Sequence, residues 1–445
     1  MRTLLERAKG SALDVFTNRK GLAGTTTLLS PHTQQIRSIY FTPNKWTNIQ
    51  EFSDVISGPL PLLHTLKVNV GGESLPVSQP DRPPPPLFSN AVNLKQFILR
   101  FQGRSLLNHF VFPNLTTFEL SAMLAWSGFR ASELLNFLEA SPMLQTIRMQ
   151  IFTNLLLEDA AQRGVVVLPN VQTFSLVMDD RGQVYKLAAQ ISCPSASHTS
   201  LIHERHVHGI ATDHDTQDVF PAAASWNTIV RQYTRSPVES VSLEMKTFCG
   251  PTISCTLTFR SSDATVIRLG LEVSSYIDMP DVPLEAVIQR VFYQASRTIQ
   301  DYPLLHSAKY LHILYSIDDS GPGDLIDMAT QVGRLFKSVG PLEELILHGC
   351  DLHPYLTSFL DLPGFEDTKQ LIAFPPIKRL TILHPSMVDE EEECMTAIVE
   401  LAKSQSALGV PFERVTVRAE ELPTGMREML EPWVGVADCC EEQDT

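Results

Sequence analysis

No C-x-x-C pair occurs in this chain, and its seven cysteines (Cys193, Cys249, Cys255, Cys350, Cys394, Cys439, Cys440) are scattered and odd in number. That pattern does not make a disulfide framework, so a reducing compartment, cytosol or nucleus, is expected. Nowhere do about 18 apolar residues run together, which excludes a membrane-spanning helix, and no membrane partner is expected. The first thirty residues mix Arg2, Glu6, Arg7, Lys9 and Asp14 among apolar ones and lack the hydrophobic stretch of a signal peptide.

A basic surplus is missing too. Thirty-five Lys and Arg face 50 Asp and Glu, a net charge of −15. Nucleic-acid binding draws on cations that release counterions, so nucleic acid is not an expected partner. The imbalance is uneven along the chain: residues 1–110 hold 12 basic and 6 acidic residues, a net of +6, which leaves −21 for the remainder.

Catalytic signatures are also absent. Ser320-Gly-Pro-Gly-Asp324 has two glycines but no following lysine, and reads as a turn that opens a helix rather than as a phosphate cradle. No Gly-x-Ser-x-Gly elbow appears. Histidines gather at His198, His203, His206, His208 and His214, beside Asp213 and Asp215. In His203-Glu-Arg-His206 the two imidazoles stand three residues apart, where a zinc-protease helix needs four. His206 and His208 would share a direction on an extended backbone, but no cysteine or fourth ligand is anchored nearby, so the stretch reads as a solvated loop. No catalytic residue, metal ligand or cofactor is assigned, and the chain is not expected to be an enzyme.

What is present is a repeated phrase: an apolar residue, two variable ones, a second apolar residue, one variable, a third apolar. The clearest copies start at Leu115, Leu144, Val171, Leu342 and Ile377, and weaker ones at Ile36, Leu63, Leu94, Val238, Ala308 and Phe412. Neighbouring copies lie 21 to 35 residues apart, except for two double-length steps of 67 and 70. Such a period is the mark of a repeat array, in which each unit buries its apolar edge against the next.

Each phrase reads as a buried strand. Intervening stretches often read as helices: 132–140, with Ser132 as cap, Glu133 in the first turn and Leu134, Leu135 and Leu138 on one face; 391–403; and the long candidates 284–300 and 324–337. A period-two run, Ile253, Cys255, Leu257, Phe259, then Ile267, Leu269, Leu271, Val273, reads as an antiparallel hairpin over 253–274. One or two irregular strands are expected within 183–206. Pro80-Asp-Arg-Pro-Pro-Pro-Pro-Leu87 reads as a stiff loop, and Asp389-Glu-Glu-Glu-Glu393 as a solvated helix start.

The fold expected is α/β, a leucine-rich-repeat-like solenoid with a curved, mostly parallel strand ladder and helices outside. It is read as one array over 1–445: N-terminal repeats at 1–180, an irregular middle at 181–280, C-terminal repeats at 281–438, and a frayed tail at 439–445. A strand ladder exposes the residue between the second and third apolar positions of each phrase. These residues are Tyr40, Lys67, Ile98, Glu119, Arg148, Ser175, Ser242, His312, Ile346, Thr381 and Thr416. The partner-binding candidates are Tyr40, Lys67, Glu119, Arg148, His312 and Thr381, a row of mixed charge, hydroxyl and aromatic character suited to a protein target.

Four stretches carry a resemblance: Leu4-Leu-Glu-Arg-Ala-Lys-Gly-Ser-Ala-Leu-Asp-Val15, Ser225-Trp-Asn-Thr-Ile-Val-Arg-Gln-Tyr-Thr-Arg-Ser-Pro-Val-Glu239, Arg334-Leu-Phe-Lys-Ser-Val-Gly-Pro-Leu-Glu-Glu344 and Glu393-Cys-Met-Thr-Ala-Ile-Val-Glu-Leu-Ala-Lys403. With them the chain resembles a large family of mushroom-forming fungi, the F-box-like proteins with a degenerate leucine-rich-repeat body. The resemblance implies the substrate-recognition part of an adaptor for a cullin–RING ubiquitin ligase. A helical F-box would dock the ligase's linker subunit, and the repeats would hold a target.

Met1-Arg-Thr-Leu-Leu-Glu-Arg matches the segment that follows the F-box in that family, so the linker subunit is expected as a partner only of a longer form. An incomplete gene model, a shortened natural form, or loss of the hook would each account for this. An apolar patch is expected near the first repeat, at Leu4, Leu5, Leu13 and Val15. The alternatives are a free-standing interaction scaffold or decoy unconnected to ubiquitin and, third, a metal-dependent enzyme using the histidine-rich stretch.

Overall fold

The computed structural model describes residues 10–17, 28–43, 46–71, 87–102, 107–123, 129–152, 155–157, 163–179, 183–207, 232–233, 236–248, 252–275, 307–316, 341–349, 377–383, 391–419 and 425–441. It divides into two compact units, Met1–His203 and Glu204–Thr445. The expected helices at 284–300 and 324–337, the proline run, the Ser320–Asp324 turn, and His208 and His214 lie outside the described residues.

Unit 1 runs through β1 (Leu13–Thr17), β2 (Ile36–Phe41), α1 (Trp46–Val55), β3 (Thr65–Val70), β4 (Gln96–Gln102), β5 (Thr117–Met123), β6 (Phe129–Arg130) and α2 (Ala131–Glu139). It continues with β7 (Thr146–Phe152), β8 (Leu155–Leu156), β9 (Val166–Val167), β10 (Thr173–Met178), α3 (Gln183–Ala189), β11 (Ile191–Ser192) and β12 (His198–Val207). Eight strands lie side by side in the order β1-β2-β3-β4-β5-β7-β10-β12, and they pair in parallel. Parallel neighbours cannot be joined by a tight turn, which is why 20 or more residues separate one phrase from the next.

Within each strand, burial alternates with period two. In β5, Phe118, Leu120 and Ala122 are buried while Thr117, Glu119 and Ser121 are half-buried on the other side. The inward side chains meet the connecting segments. Phe97 of β4 packs against Phe110, Phe112, Phe118 and Phe137 with ring centroids 4.8, 5.2, 6.0 and 5.9 Å away, and Phe41 stacks on Phe52 of α1 at 4.7 Å. Each fully buried aromatic or aliphatic side chain contributes about 1.5–3 kcal/mol.

Turns entering the strands are stitched to their predecessors. The amides of Asn93, Asn114 and Asn170 donate to the carbonyls of Pro61, Val92 and Pro142 at 2.9, 2.9 and 3.0 Å. The carbonyl of Lys95 accepts from both Thr116 and Thr117 N–H, and that of Thr116 from both Gln145 and Thr146.

Unit 2 contains β13 (Val238–Phe248), β14 (Thr252–Ser261), β15 (Val266–Ser275), β16 (Tyr310–Ser316), β17 (Leu342–Gly349), β18 (Ile377–Leu383), α4 (Glu391–Ala407), β19 (Arg414–Ala419), α5 (Met426–Leu430) and β20 (Ala437–Glu441). Its order is β15-β14-β13-β16-β17-β18-β19-β20. The first three strands are antiparallel and those from β13 onward parallel. In all, sixteen strands build mostly parallel sheet, and the protein is α/β.

All eleven phrases lead into or form strands: β2, β3, β4, β5, β7, β10, β13, β16, β17, β18 and β19. The expected hairpin is present as β14 and β15, and its turn places Ala264 at φ +64°, the left-handed position usually filled by glycine. Rather than standing apart, it pairs through β14 with β13.

Several details correct the sequence reading. Ser132 lies inside α2, whose N-cap is Arg130 and makes no side-chain capping hydrogen bond. The strands expected within 183–206 are present as β11 and β12, and the helix α3 precedes them. β12 is a further copy of the phrase, masked in the sequence because buried Ala196 and Thr199 stand where the other copies carry larger apolar residues, before Leu201. It accounts for part of one double-length step. Cys439, Cys440 and Glu441, expected to fray, belong to β20, which pairs with β19.

Candidate interaction face

The outward residues fall into register. In unit 1 the Cα partners run Phe16, Tyr40, Lys67, Ile98, Glu119, Arg148, Ser175, Ser200 across successive strands. In unit 2 they run Ser242, His312, Ile346, Thr381, Thr416, Asp438. Strands lie about 4.8 Å apart, so Tyr40 to Arg148 spans about 19 Å. Tyr40, Lys67, Glu119 and Arg148 thus share one row, and His312 and Thr381 share the other. Thr416 is buried at 9% exposure and drops out of the accessible set.

The row is chemically uneven. Arg148 is ion-paired with Glu119 at 3.4 Å. Tyr40 stacks on Phe16 with centroids 4.5 Å apart and planes 5° from parallel, and Phe16 is 72% exposed. One row end of unit 1 therefore presents an apolar ledge. Leu13 is half-buried and Val15 buried, so Phe16 rather than those two forms the exposed apolar surface; Leu4 and Leu5 lie outside the described residues. Behind the ledge, the guanidinium of Arg37 grips Asp14 and holds its carboxyl below the ordinary carboxylate range.

In unit 2, Thr381 Oγ1 donates to Glu344 Oε1 at 2.9 Å, and Arg379 pairs with the same carboxylate at 3.4 Å. His312 stacks on His348 with ring centroids 6.1 Å apart. Its Nε2 is buried without a hydrogen-bond partner among the described residues. Burial lowers the imidazole pKa, opposed by the nearby Glu244 carboxylate.

His203 and His206 stand on β12, a strand, so the helical zinc-protease geometry fails in backbone as well as spacing. No group of three or more metal-ligating side chains occurs among the described residues. Cys193 and Cys255 are free thiols whose pKa burial pushes up to about 12. Among the described residues, no helix is long and apolar enough to cross a membrane.

Sequence reasoning missed Phe16, Lys95 and Arg100 as surface determinants. β1 carries no full phrase, and Lys95 and Arg100 do not stand between the second and third apolar positions of theirs. The surplus of positive charge in residues 1–110 was the available signal. No protein-family model matches the chain, and no curated protein matches it.

Proposed function

We propose that this protein is a non-catalytic protein-binding module built as a leucine-rich-repeat-like solenoid. Following the resemblance described above, we further propose that it forms the substrate-recognition part of an F-box-type adaptor of a cullin–RING ubiquitin ligase, acting in the cytosol or nucleus. The observation that carries the binding reading is the in-register row from Tyr40 through Lys67, Ile98 and Glu119 to Arg148. A row of this kind offers an extended surface with mixed polar and apolar character, which suits a protein partner.

The experiment is affinity capture from cells with the full chain, compared with a variant carrying Tyr40→Ala, Lys67→Ala and Arg148→Ala. Stoichiometric partners held by the wild type and lost by the variant support the binding reading. Co-capture of a cullin and its linker subunit supports the ligase part, and a target held without them overturns that part alone. Stoichiometric metal in the purified protein, lost on changing His206 and His208 to Ala, would overturn the non-catalytic reading.

A further inference from the structure

Charges on the unit 1 face do not cancel. On and just before β1, β2, β3, β4, β5, β7 and β10 the outward charged residues are Asp14, Arg37, Lys67, Lys95, Arg100, Glu119 and Arg148, five cations to two anions. Both anions are already taken, Asp14 by Arg37 and Glu119 by Arg148. Lys67, Lys95 and Arg100 have no ion pair among the described residues, and Lys95 only reaches the Asn114 carbonyl at 3.4 Å. In unit 2, Lys246–Glu244, Lys309–Glu239, Lys309–Glu343 and Arg379–Glu344 form ion pairs, while Arg414 and Arg418 of β19 have none among the described residues.

These three cations lie on or just before the adjacent strands β3 and β4. Lys67 of β3 lies opposite Ile98 of β4, and Arg100 lies two residues further along β4, opposite Asn69. Lys95 immediately precedes β4. From Lys95 to Arg100 the strand direction covers about 17 Å, the reach of about five residues of extended chain. The row continues from Lys67 to Tyr40 and the exposed Phe16.

We infer that this zone is the docking site for an extended acidic segment of a partner protein, its carboxylates on Lys67, Lys95 and Arg100 and an apolar side chain on the Phe16–Tyr40 ledge. Charge complementarity selects the occupant. A chain that is −15 overall repels polyanions at long range, while a local group of cations without ion pairs among the described residues accepts a short acidic stretch. The flat ledge gives that stretch an anchor that a phosphate backbone lacks. This inference rests on the protein-binding reading and specifies its partner.

The test uses the full-length protein and a short fluorescent Glu- and Asp-rich peptide containing one Phe, followed by polarisation. Lys67→Glu combined with Arg100→Glu is expected to weaken binding at least about tenfold, and Phe16→Ala about threefold or more. Raising salt from about 50 to about 300 mM should weaken the wild type and scarcely affect the residual binding of the double variant. Circular dichroism of the variants should match the wild type, because these side chains lie on the outward face. Equal binding by wild type and double variant would overturn the inference, as would tighter binding of a single-stranded oligonucleotide of matched charge. If a partner captured from cells still binds the double variant, this site is wrong while the protein-binding reading stands; if the row variant above loses no partner, that reading itself fails.

Discussion

Asparagine in the turn before a strand ties one turn to the next. Asn114 reaches back to the Val92 carbonyl at 2.9 Å, and Asn93 and Asn170 make the same bond to Pro61 and Pro142. Asn114→Ala removes one donor and leaves a partly solvated carbonyl, a loss of about 1 kcal/mol. Asn114→Asp should cost at least as much, because a carboxylate cannot donate. Urea titration of the three proteins measures both.

Asp263 supplies a pH-dependent counterpart. Its carboxylate accepts the Ser261 hydroxyl and, at 3.1 Å, the Thr265 N–H in the hairpin turn. These bonds, the Ser261 one foremost, bring its pKa from 3.8 down to about 2. A folded-state pKa below the unfolded one stabilises above the unfolded value and loses that contribution as pH falls through the folded value. Asp263→Ala should therefore be less stable than wild type at neutral pH. The difference should shrink below pH 3.8 and vanish near 2, as read from thermal melts across that range.

At the scale of elements, β4 is the strand on which unit 1 most depends. Phe97 touches four other phenylalanines drawn from β5, α2 and the connection between β4 and β5. Phe97→Ala should cost about 3–5 kcal/mol, whereas Phe97→Leu, which keeps more of the volume, should cost less. Denaturant unfolding followed by intrinsic fluorescence would check both. Strand β12 shows where element-level reading runs short. Its phrase uses Ala196 and Thr199, both buried, and a small or β-branched polar residue gives no apolar signal, although its burial against β10 is as complete as that of a leucine elsewhere.

Across the whole molecule, strands with two neighbours should open less readily than strands with one. β1 and β20 each have a single neighbour in the strand order, while β4 and β5 have two. Amide hydrogens of β1 and β20 are expected to exchange at least about tenfold faster than those of β4 and β5, measured by hydrogen-exchange mass spectrometry. Equal protection at β1 would show that another segment covers that edge.

The sequence by itself determined where the eleven phrase-bearing strands form and which side of each faces inward, because period-two alternation is a local property of the backbone and its side chains. Tyr40, Lys67, Glu119 and Arg148 could be placed in one row from spacing alone, since every phrase enters its strand at the same point. The tertiary structure decided the rest. Only it shows that Arg148 is neutralised by Glu119 from 29 residues away while Lys67 and Arg100 are left unpaired among the described residues, and that β14 sits between β13 and β15. Electrostatic pairing and strand order depend on neighbours brought together by folding, and a repeat that specifies each unit locally does not specify which charges those units will share.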